Sequence, residues 1–348
     1  MNKQLLILLS FLAVMELPAQ DIHFSQFDRS ALLTNPANAG LSPGVARLGL
    51  QYRNQWNSVL HSNAYNSAMA TFDWRSCVSG SFLAYGVVLS ADQAGEARFS
   101  NAQALVNLAY HQRVADDVFL SGGVLAGFWN YGLDEEALQF EEQFDGIGFN
   151  GSYDSFESFN ALRRTVFDLS AGLLFYDTYR AWRLGMSLYH INQPLYSLLE
   201  DDIEGNRVGM GWALQGSIGL NTDHNFQDKE LSLRARFRRQ ALFRNSLQSE
   251  LVAGGQWQMI KPKNTRYAQA IFWGVAARLG GREDGGALLM DAIIPSFRVD
   301  YHIWSFSLSY DINTSPLINA SKLGGGMELS IQVNFDGKPN CVNCPEDW

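Results

Sequence analysis

Residues 304–311 read Trp304-Ser305-Phe306-Ser307-Leu308-Ser309-Tyr310-Asp311 and alternate large apolar side chains with small or charged ones. Successive side chains of a β-strand point to opposite faces, so this pattern predicts a strand with one apolar and one polar face. The same alternation occurs at residues 46–53, 231–238 and 327–335. These segments predict a protein built from two-faced strands.

Two-faced segments follow one another through most of the chain, and they predict fourteen strands. Their predicted bounds are 45–53, 64–74, 81–90, 99–112, 118–131, 164–176, 182–190, 208–221, 230–239, 246–259, 266–279, 286–299, 302–312 and 325–335. Most reach or exceed the roughly 9 to 11 residues that a tilted strand needs to cross a bilayer, whereas soluble strands average about 5 to 6. An even number of strands lets a barrel close with both chain ends on one side.

The predicted connections differ in length on the two sides of such a barrel. Long connections follow odd-numbered strands, at 54–63, 132–163, 191–207 and 313–324, and short ones follow even-numbered strands, at 75–80, 113–117 and 177–181. Short periplasmic turns and long outer loops are typical of outer-membrane barrels. We therefore predict an all-β transmembrane barrel of about fourteen antiparallel strands at residues 45–335, with both termini in the periplasm. The alternative is a large soluble β-sandwich.

Composition argues against a helical membrane protein and against a protein that binds nucleic acid. Charged residues make up only 18% of the chain, below the roughly 25% usual in soluble domains. No run of about 20 apolar residues follows the first twenty positions, which excludes a membrane protein made of helices. The net charge of −9 at pH 7 provides no basic surface for phosphate backbones and argues against nucleic acid as a partner.

The two ends of the chain lie outside the predicted barrel. Residues 1–19 resemble a signal peptide, with a basic Lys3, an apolar core and a small Ala19 at the predicted cleavage site. Residues 20–44 are predicted either as a flexible periplasmic lead or, because they are unusually apolar for a flexible segment, as a plug in the lumen or a docking strip. Residues 336–348 are predicted to be a periplasmic tail.

The tail contains a CxxC motif formed by Cys341 and Cys344, and the third cysteine is Cys77. A zinc site needs a second pair of ligands, which the sequence lacks, so no metal or other cofactor is predicted. Three outcomes stay open for the thiols: a local bridge between Cys341 and Cys344, a link from Cys77 to either of them, or free cysteines.

Three arginines form a basic ladder on one strand face. Arg234, Arg236 and Arg238 occupy alternate positions and are predicted to face the lumen. They are suited either to an anionic ligand or to pairing with lumen acids such as Glu250, Glu328 or Asp311. Pairing is favoured, because an isolated buried charge is costly.

Motifs for catalysis or metal binding are weak. The six histidines are scattered, and no HExxH or GxSxG motif occurs, so the protein is predicted not to be an enzyme. Residues 132–163 carry many carboxylates, which suit Ca²⁺, but the EF-hand spacing is missing. A solvated surface loop is the favoured interpretation.

Several motifs resemble the PorP/SprF family of Bacteroidetes. The opening Gln20-Asp21-Ile22-His23-Phe24-Ser25-Gln26-Phe27 and the run Leu50-Gln51-Tyr52-Arg53-Asn54-Gln55-Trp56 are the most specific. Shorter pieces include Asn35-Pro36-Ala37, Leu188-Tyr189-His190-Ile191-Asn192-Gln193-Pro194 and Tyr310-Asp311. The motif residues are Phe24, Ser25, Gln26, Asn35, Pro36, Tyr52, Arg53, Asn54, Gln55, Trp56, Gln193, Pro194, Tyr310 and Asp311.

This resemblance implies a non-enzymatic β-barrel of the outer membrane that belongs to the type IX secretion system. It implies a role in the export or surface anchoring of a large secreted protein or gliding adhesin. The implied partners are that adhesin or another type IX substrate, other type IX components and outer-membrane lipid. The long acidic loop at 132–163 departs from the family pattern, so the partner is not carried over. The competing class is a porin or transporter for small solutes.

Overall fold

The fold is a closed barrel of fourteen antiparallel strands. The computed structural model describes residues 21–60, 64–78, 80–95, 98–134, 143, 148, 162–196, 207–220, 231–241, 247–260, 269–282, 288–315 and 324–336. The strands are β1 Ala46–Gln55, β2 Tyr65–Val78, β3 Ser81–Ala94, β4 Phe99–Arg113, β5 Val118–Gly132, β6 Arg163–Asp177, β7 Trp182–Tyr189, β8 Gly211–Leu220, β9 Leu231–Ala241, β10 Leu247–Ile260, β11 Gln269–Arg282, β12 Leu289–Tyr301, β13 Trp304–Asn313 and β14 Gly326–Phe335. The predicted fold class and strand number are confirmed.

Helical structure among the described residues is short. Helix α1 spans Ala31–Thr34, helix α2 spans Asn57–Leu60, and a 3-10 turn spans Pro36–Asn38. None of the helices in the described part of the chain has the length and apolar content to cross a membrane.

Each strand pairs with its neighbours in sequence, and β1 closes the barrel by pairing with β14. Across this seam Ala46 lies opposite Phe335, and Arg53 lies opposite Glu328. Some strands are longer than predicted, because charged residues near their ends look like turn residues in the sequence. In β2, Arg75 lies beyond the predicted end at 74, yet its side chain is buried in the lumen.

The two faces of the wall have opposite chemistry. Large apolar side chains cover the outside, where Val106 is 63% exposed and Leu173 is 59% exposed. Polar and charged side chains line the inside, where Arg53 and Glu328 are buried. A soluble sandwich has its apolar faces inside, so this distribution requires lipid around the barrel. The sandwich alternative is excluded.

The two ends of the barrel differ in the length of their connections. The turn end carries the short connections at 79–80, 114–117, 178–181 and 302–303, and the loop end carries the long ones at 133–162 and 190–210. β1 begins and β14 ends at the turn end. The assignment of this end to the periplasm stays a prediction.

Three sequence-based predictions fall outside the described residues. These are the signal peptide at 1–19, most of the acidic loop at 132–163, and the tail with Cys341 and Cys344. The side chain of Cys77 is not described either, although its backbone belongs to β2.

The lipid-facing wall can be tested by charge insertion at two depths of one strand. Val106 lies in the middle of β4, and Val114 follows the strand at the turn end; both side chains are exposed. Val106→Arg should lower the free energy of unfolding by about 2 to 4 kcal/mol, and Val114→Arg by about 0 to 1 kcal/mol. Urea titration in lipid vesicles measures both. Equal losses would contradict a bilayer centred on Val106.

Candidate functional site in the barrel lumen

Residues 21–44, called the plug from here on, lie inside the barrel. At the loop end, Asp21 contacts His190, which follows β7. At the turn end, the Gly40 backbone N–H donates a hydrogen bond to Asp73 of β2 at 2.7 Å. The plug therefore runs along the lumen from one end of the barrel to the other.

The plug contacts every strand of the barrel. Hydrogen bonds or ion pairs join it to β1, β2, β4 through β11, β13 and β14. Apolar packing joins Leu32 to β3 and Phe27 to β12. The lumen is thus an interface between the plug and the wall, and this interface is the candidate functional site.

A network of four charges lies where the plug meets β1, β11, β13 and β14. Arg53 pairs with Glu328 and with Asp311, the latter at 2.8 Å. Arg278 also donates to Asp311, at 2.7 Å. The hydroxyl of Ser25 donates to the same carboxylate at 2.8 Å and accepts from Arg53 at 2.7 Å. Two cations and two carboxylates balance, which offsets part of the cost of burying each.

Glu328 also binds the backbone of the plug. Its carboxylate accepts the N–H of Ser25 and, at 2.9 Å, the N–H of Gln26. The side chain of Gln26 donates to Ser309 at 3.0 Å and accepts from Ser307. A buried carboxylate that accepts backbone N–H groups forms strong, directional hydrogen bonds. This contact fixes the register of the plug against β13 and β14.

A second network lies at the loop end and is centred on His190. Its ring nitrogens contact Asp168 at 2.8 Å and Asp21 at 3.0 Å, and Arg238 also contacts Asp21. Burial alone would lower the pKa of His190, but the carboxylates of Asp21 and Asp168 outweigh this and raise it to about 10. Burial would raise the pKa of Asp21, yet His190 and Arg238 hold it below its usual value. The contacts with His190 are therefore ion pairs at neutral pH.

The basic ladder faces the lumen, and each of its arginines contacts a carboxylate. Arg234 contacts Asp28 of the plug, Arg236 contacts Glu250 at 2.6 Å, and Arg238 contacts Asp21. Two of the three carboxylates therefore come from the plug. Glu328 and Asp311, considered above as partners of the ladder, pair with Arg53 and Arg278 instead.

Two further plug residues contact charged groups of the wall. His23 contacts Glu250 at 3.1 Å, and its Nε2 lies 3.2 Å from a nitrogen of Arg278. Asp28 contacts Arg234. These contacts join the plug to β9, β10 and β11.

The Asn35-Pro36-Ala37 motif packs against glycines of the wall. The Oδ1 of Asn35 accepts the N–H of Ala37 at 2.9 Å, and its Nδ2 donates to backbone carbonyls of β6 and β7. A Cβ at Gly172 would lie 1.9 Å from Asn35 Oδ1, and one at Gly123 would lie 2.5 Å from the Pro36 carbonyl oxygen. Only glycine permits the plug backbone to approach this closely.

The family-motif residues divide into two groups. The structure brings Ser25, Gln26, Arg53 and Asp311 together, and Phe24, next to Ser25 in sequence, is buried in the apolar cluster of the lumen. Asn35 and Pro36 lie further along the plug. Gln55 accepts hydrogen bonds from Arg53 at the end of β1.

Other motif residues lie away from the plug. Tyr52 and Tyr310 are on the lipid-facing side, and Tyr52 and Asn54 both donate to Asn66 at 2.7 Å. Trp56 follows β1 and has a positive φ of 64°. Gln193 closes the turn after His190, since its N–H donates to the His190 carbonyl at 2.9 Å, and Pro194 comes next.

Sequence reasoning missed Asp21, Asp168, His190 and Arg278 as members of these networks. Asp168 and Arg278 lie in bilayer-crossing strands on the polar face. An ionisable residue inside a membrane span is itself a functional signal. The alternation of the two strands would have placed both residues on the lumen face. Asp21 and His190 both lie in pieces of the family resemblance, but the sequence gives no sign that the two residues meet. Across the described ranges, no group of three His, Cys, Asp or Glu side chains is arranged to hold a metal ion.

Comparison with known families assigns the chain. Residues 17–333 match the family described as type IX secretion system membrane protein PorP/SprF. The chain belongs to the PorP/SprF family. The PorP/SprF assignment confirms the resemblance found in the sequence and identifies the protein as a membrane component of type IX secretion in the outer membrane. Membership in PorP/SprF also suggests association with other type IX components. None of the curated proteins compared with the chain matches it.

Solved structures similar to this PorP/SprF protein are also barrels. The TodX monoaromatic hydrocarbon channel deltaS2 mutant has a TM-score of 0.53 at 12% identity, with 88% of this chain and 94% of that chain covered. The CymD monoaromatic hydrocarbon channel has a TM-score of 0.49 at 9% identity, covering 89% and 93%. The Pseudomonas putida toluene transporter TodX has a TM-score of 0.44 at 10% identity, covering 87% and 91%. At such identities, the first likeness shows the fold alone.

The role of Glu328 can be tested by removing its charge. Glu328→Gln leaves Arg53 short of a carboxylate and should cost about 3 to 5 kcal/mol in the free energy of unfolding. An engineered Ser30→Cys, in a variant without the native cysteines, should then react at least about tenfold faster with a water-soluble maleimide. Ser330→Ala, two residues along the same strand face, should change neither. Unchanged labelling in Glu328→Gln would mean that Glu328 does not hold the plug.

The pH dependence follows from the His190 network. The raised pKa means that its stabilisation is fully present below about 6.5 and is lost as pH rises through about 10. The lowered pKa of Asp21 means that its stabilisation is present above about 3.8 and lost only in stronger acid. The free energy of unfolding should therefore fall more between pH 7 and pH 10 in the native protein than in His190→Gln. Parallel urea titrations test this, and identical slopes would contradict it.

Proposed function

We propose that the protein is a non-enzymatic component of type IX secretion that assists export of a large secreted protein or anchors it at the cell surface. In this proposal the barrel holds its partner and does not itself serve as the conduit. The observation that carries it is the contact of the plug with all fourteen strands.

The plug contacts argue against passage through the lumen. Opening a path requires separating Ser25 and Gln26 from Glu328, and Asp21 from His190 and Arg238. Breaking one buried ion pair typically costs about 3 to 5 kcal/mol. Several such pairs lie around the circumference, so displacing the plug requires breaking all of them. The total cost is far above thermal energy and would need an outside source of energy.

The surfaces that remain for a macromolecular partner are the two ends. The wall is committed to lipid, and loops on a rigid scaffold are where binding residues concentrate. In this proposal, the secreted adhesin or other type IX substrate binds at the loop end. Other type IX components bind beside the barrel or at the turn end, and outer-membrane lipid surrounds the apolar wall.

The histidines support a non-enzymatic role. His111 lies between Tyr176 and the carbonyl of Ala39, at 3.0 and 2.8 Å. His190 lies between two carboxylates. Both rings are buried and occupied by structural partners, so neither is available as a general base for a substrate.

The competing function is passage of small solutes. The TodX deltaS2 mutant, which is similar in fold, is described as a monoaromatic hydrocarbon channel. Single-channel recording separates the two functions. A holding component should be silent after reconstitution, with heat-modifiable gel migration confirming that the barrel is folded. A steady open conductance would overturn the proposal in favour of the transporter.

Partner binding at the loop end can be tested by deletion. Affinity purification from native membranes should recover a secreted protein with the full chain, and deletion of 136–158 should reduce that recovery severalfold. Deletion of 223–228, in the connection between β8 and β9 at the turn end, is the matched control and should leave it unchanged. Equal recovery with both deletions would move the binding surface away from this loop.

A further inference from the structure

One strand of the wall is irregular near the middle of the bilayer. Pro295 lies at the centre of β12 and is the only proline in the fourteen strands that the structure describes. Proline has no backbone N–H, so within sheets it is normally confined to edge strands and bulges. A closed barrel has no edge strand. A neighbouring carbonyl in the bilayer core therefore loses its donor, and no water is present there to replace it.

The pairing of β12 with β13 is interrupted at this proline. Both strands are described along their whole length, and Ile293 and Ser296 pair with β13, whereas Ile294 and Pro295 between them do not. The pairing of these residues with β11 continues. Nearer the loop end, a bulge leaves Asp291 without a place in the register between β12 and β11. The backbone thus holds this part of β12 less firmly than the rest of the wall.

Side chains in the lumen join the strands on either side of the interruption. Arg278 of β11 donates to Asp311 of β13 at 2.7 Å and to Asp291 of β12 at 2.6 Å. The β12 residue opposite Arg278 is Ala292, and its small side chain leaves room for the contact with Asp311 to pass over the strand. One guanidinium group therefore joins β11, β12 and β13.

The plug supports the same stretch from inside. The hydroxyl of Ser25 accepts from Arg278 at 2.9 Å and donates to Asp311 at 2.8 Å. Phe27 of the plug and Ile294 of β12 belong to one buried apolar cluster. A cavity of about 40 Å³ adjoins this cluster and is lined by Phe27 and Ile294, among others. The plug therefore contacts both strands whose pairing is interrupted, and the cavity leaves room for movement beside it.

We propose that β12 and β13 form a lateral seam in the barrel wall, which the docked plug holds shut and which loosens towards the bilayer when the plug is withdrawn. Fewer backbone hydrogen bonds have to break at the seam, so its local free energy of opening is low once the contacts of Ser25 and Phe27 are lost. A change at the plug is thereby transmitted to the lipid-facing wall. This device goes beyond the proposed function, because holding a partner at the loop end requires no change in the wall.

Hydrogen–deuterium exchange with mass spectrometry tests the seam in the purified full chain in neutral detergent. The readout is the exchange of peptides within β13, whose amides are the same in every variant. The reference is β5, which pairs with β4 and β6 without interruption. In the native protein β13 should exchange at least about tenfold faster than β5, because local opening at the seam breaks fewer backbone hydrogen bonds.

The role of the plug is tested by Ser25→Ala, which removes the hydroxyl between Arg278 and Asp311. Exchange in β13 should rise about a further tenfold, since hydrogen bonds to charged groups are lost, while exchange in β5 should stay within about twofold. Ser30→Ala is the matched control in the same segment, because the Ser30 hydroxyl donates to the Phe27 carbonyl within the plug. It should leave β13 within about twofold of the native rate.

Restoring the missing N–H tests the seam with the opposite sign. Pro295→Val supplies a backbone donor and should slow exchange in β13 severalfold without changing β5. Pro43→Val makes the same substitution at an exposed position before β1 and should alter neither strand. Heat-modifiable migration verifies folding of each variant. If Pro295→Val fails to fold, Pro295→Ala restores the same N–H with a smaller side chain.

Three results would overturn the proposal. Equal exchange in native β13 and β5 would mean that the wall has no weak stretch at β12 and β13. Ser25→Ala that leaves β13 unchanged, or accelerates both strands equally, would mean that the plug does not close a local seam. Unchanged exchange in Pro295→Val would mean that the proline does not create it. All three are measured on the isolated protein, so recovery of a secreted partner does not affect the outcome.

Discussion

The ion pair between Arg53 and Glu328 lies across the seam where the first and last strands close the barrel. The same Glu328 carboxylate accepts two backbone N–H groups of the plug. Barrel closure and plug binding therefore share one pair of charges. Asp311 and Arg278 extend the pair into a balanced network, and a buried charge left without its partner is strongly destabilising. The arrangement of the whole lumen depends on this contact.

Apolar and charged side chains are separated by the barrel wall. Apolar side chains cover the outside, and the buried charged networks lie at the interface with the plug, where both the wall and the plug supply carboxylates. A barrel built in this way offers partners its two ends and little else.

Much of the fold could be predicted from sequence because strand alternation is a local property. The face of Arg234, Arg236 and Arg238 followed from the same parity. The partners of these arginines could not be predicted, because Asp28 and Asp21 belong to a segment with no periodic pattern. From sequence alone, that segment could be either a leader or a plug. The predicted strand ends were wrong where a charged residue such as Arg75 resembled a turn residue, although its side chain lies in the polar lumen. Family motifs marked Ser25, Arg53 and Asp311, and the piece Leu188–Pro194 contains His190, but nothing in these motifs named the carboxylates that pair with it.

The contact between Gln26 and Glu328 joins residues 302 positions apart, which constrains the order of assembly. The plug lies early in the sequence, yet its strongest binding site is made of β1, β13 and β14, and the last two lie late in the sequence. Loop-closure entropy must be overcome before such a distant contact contributes any stability. Insertion of the plug is therefore a late kinetic event, and a chain that stalls before its last hairpin keeps an undocked N-terminus that a periplasmic chaperone or protease can recognise.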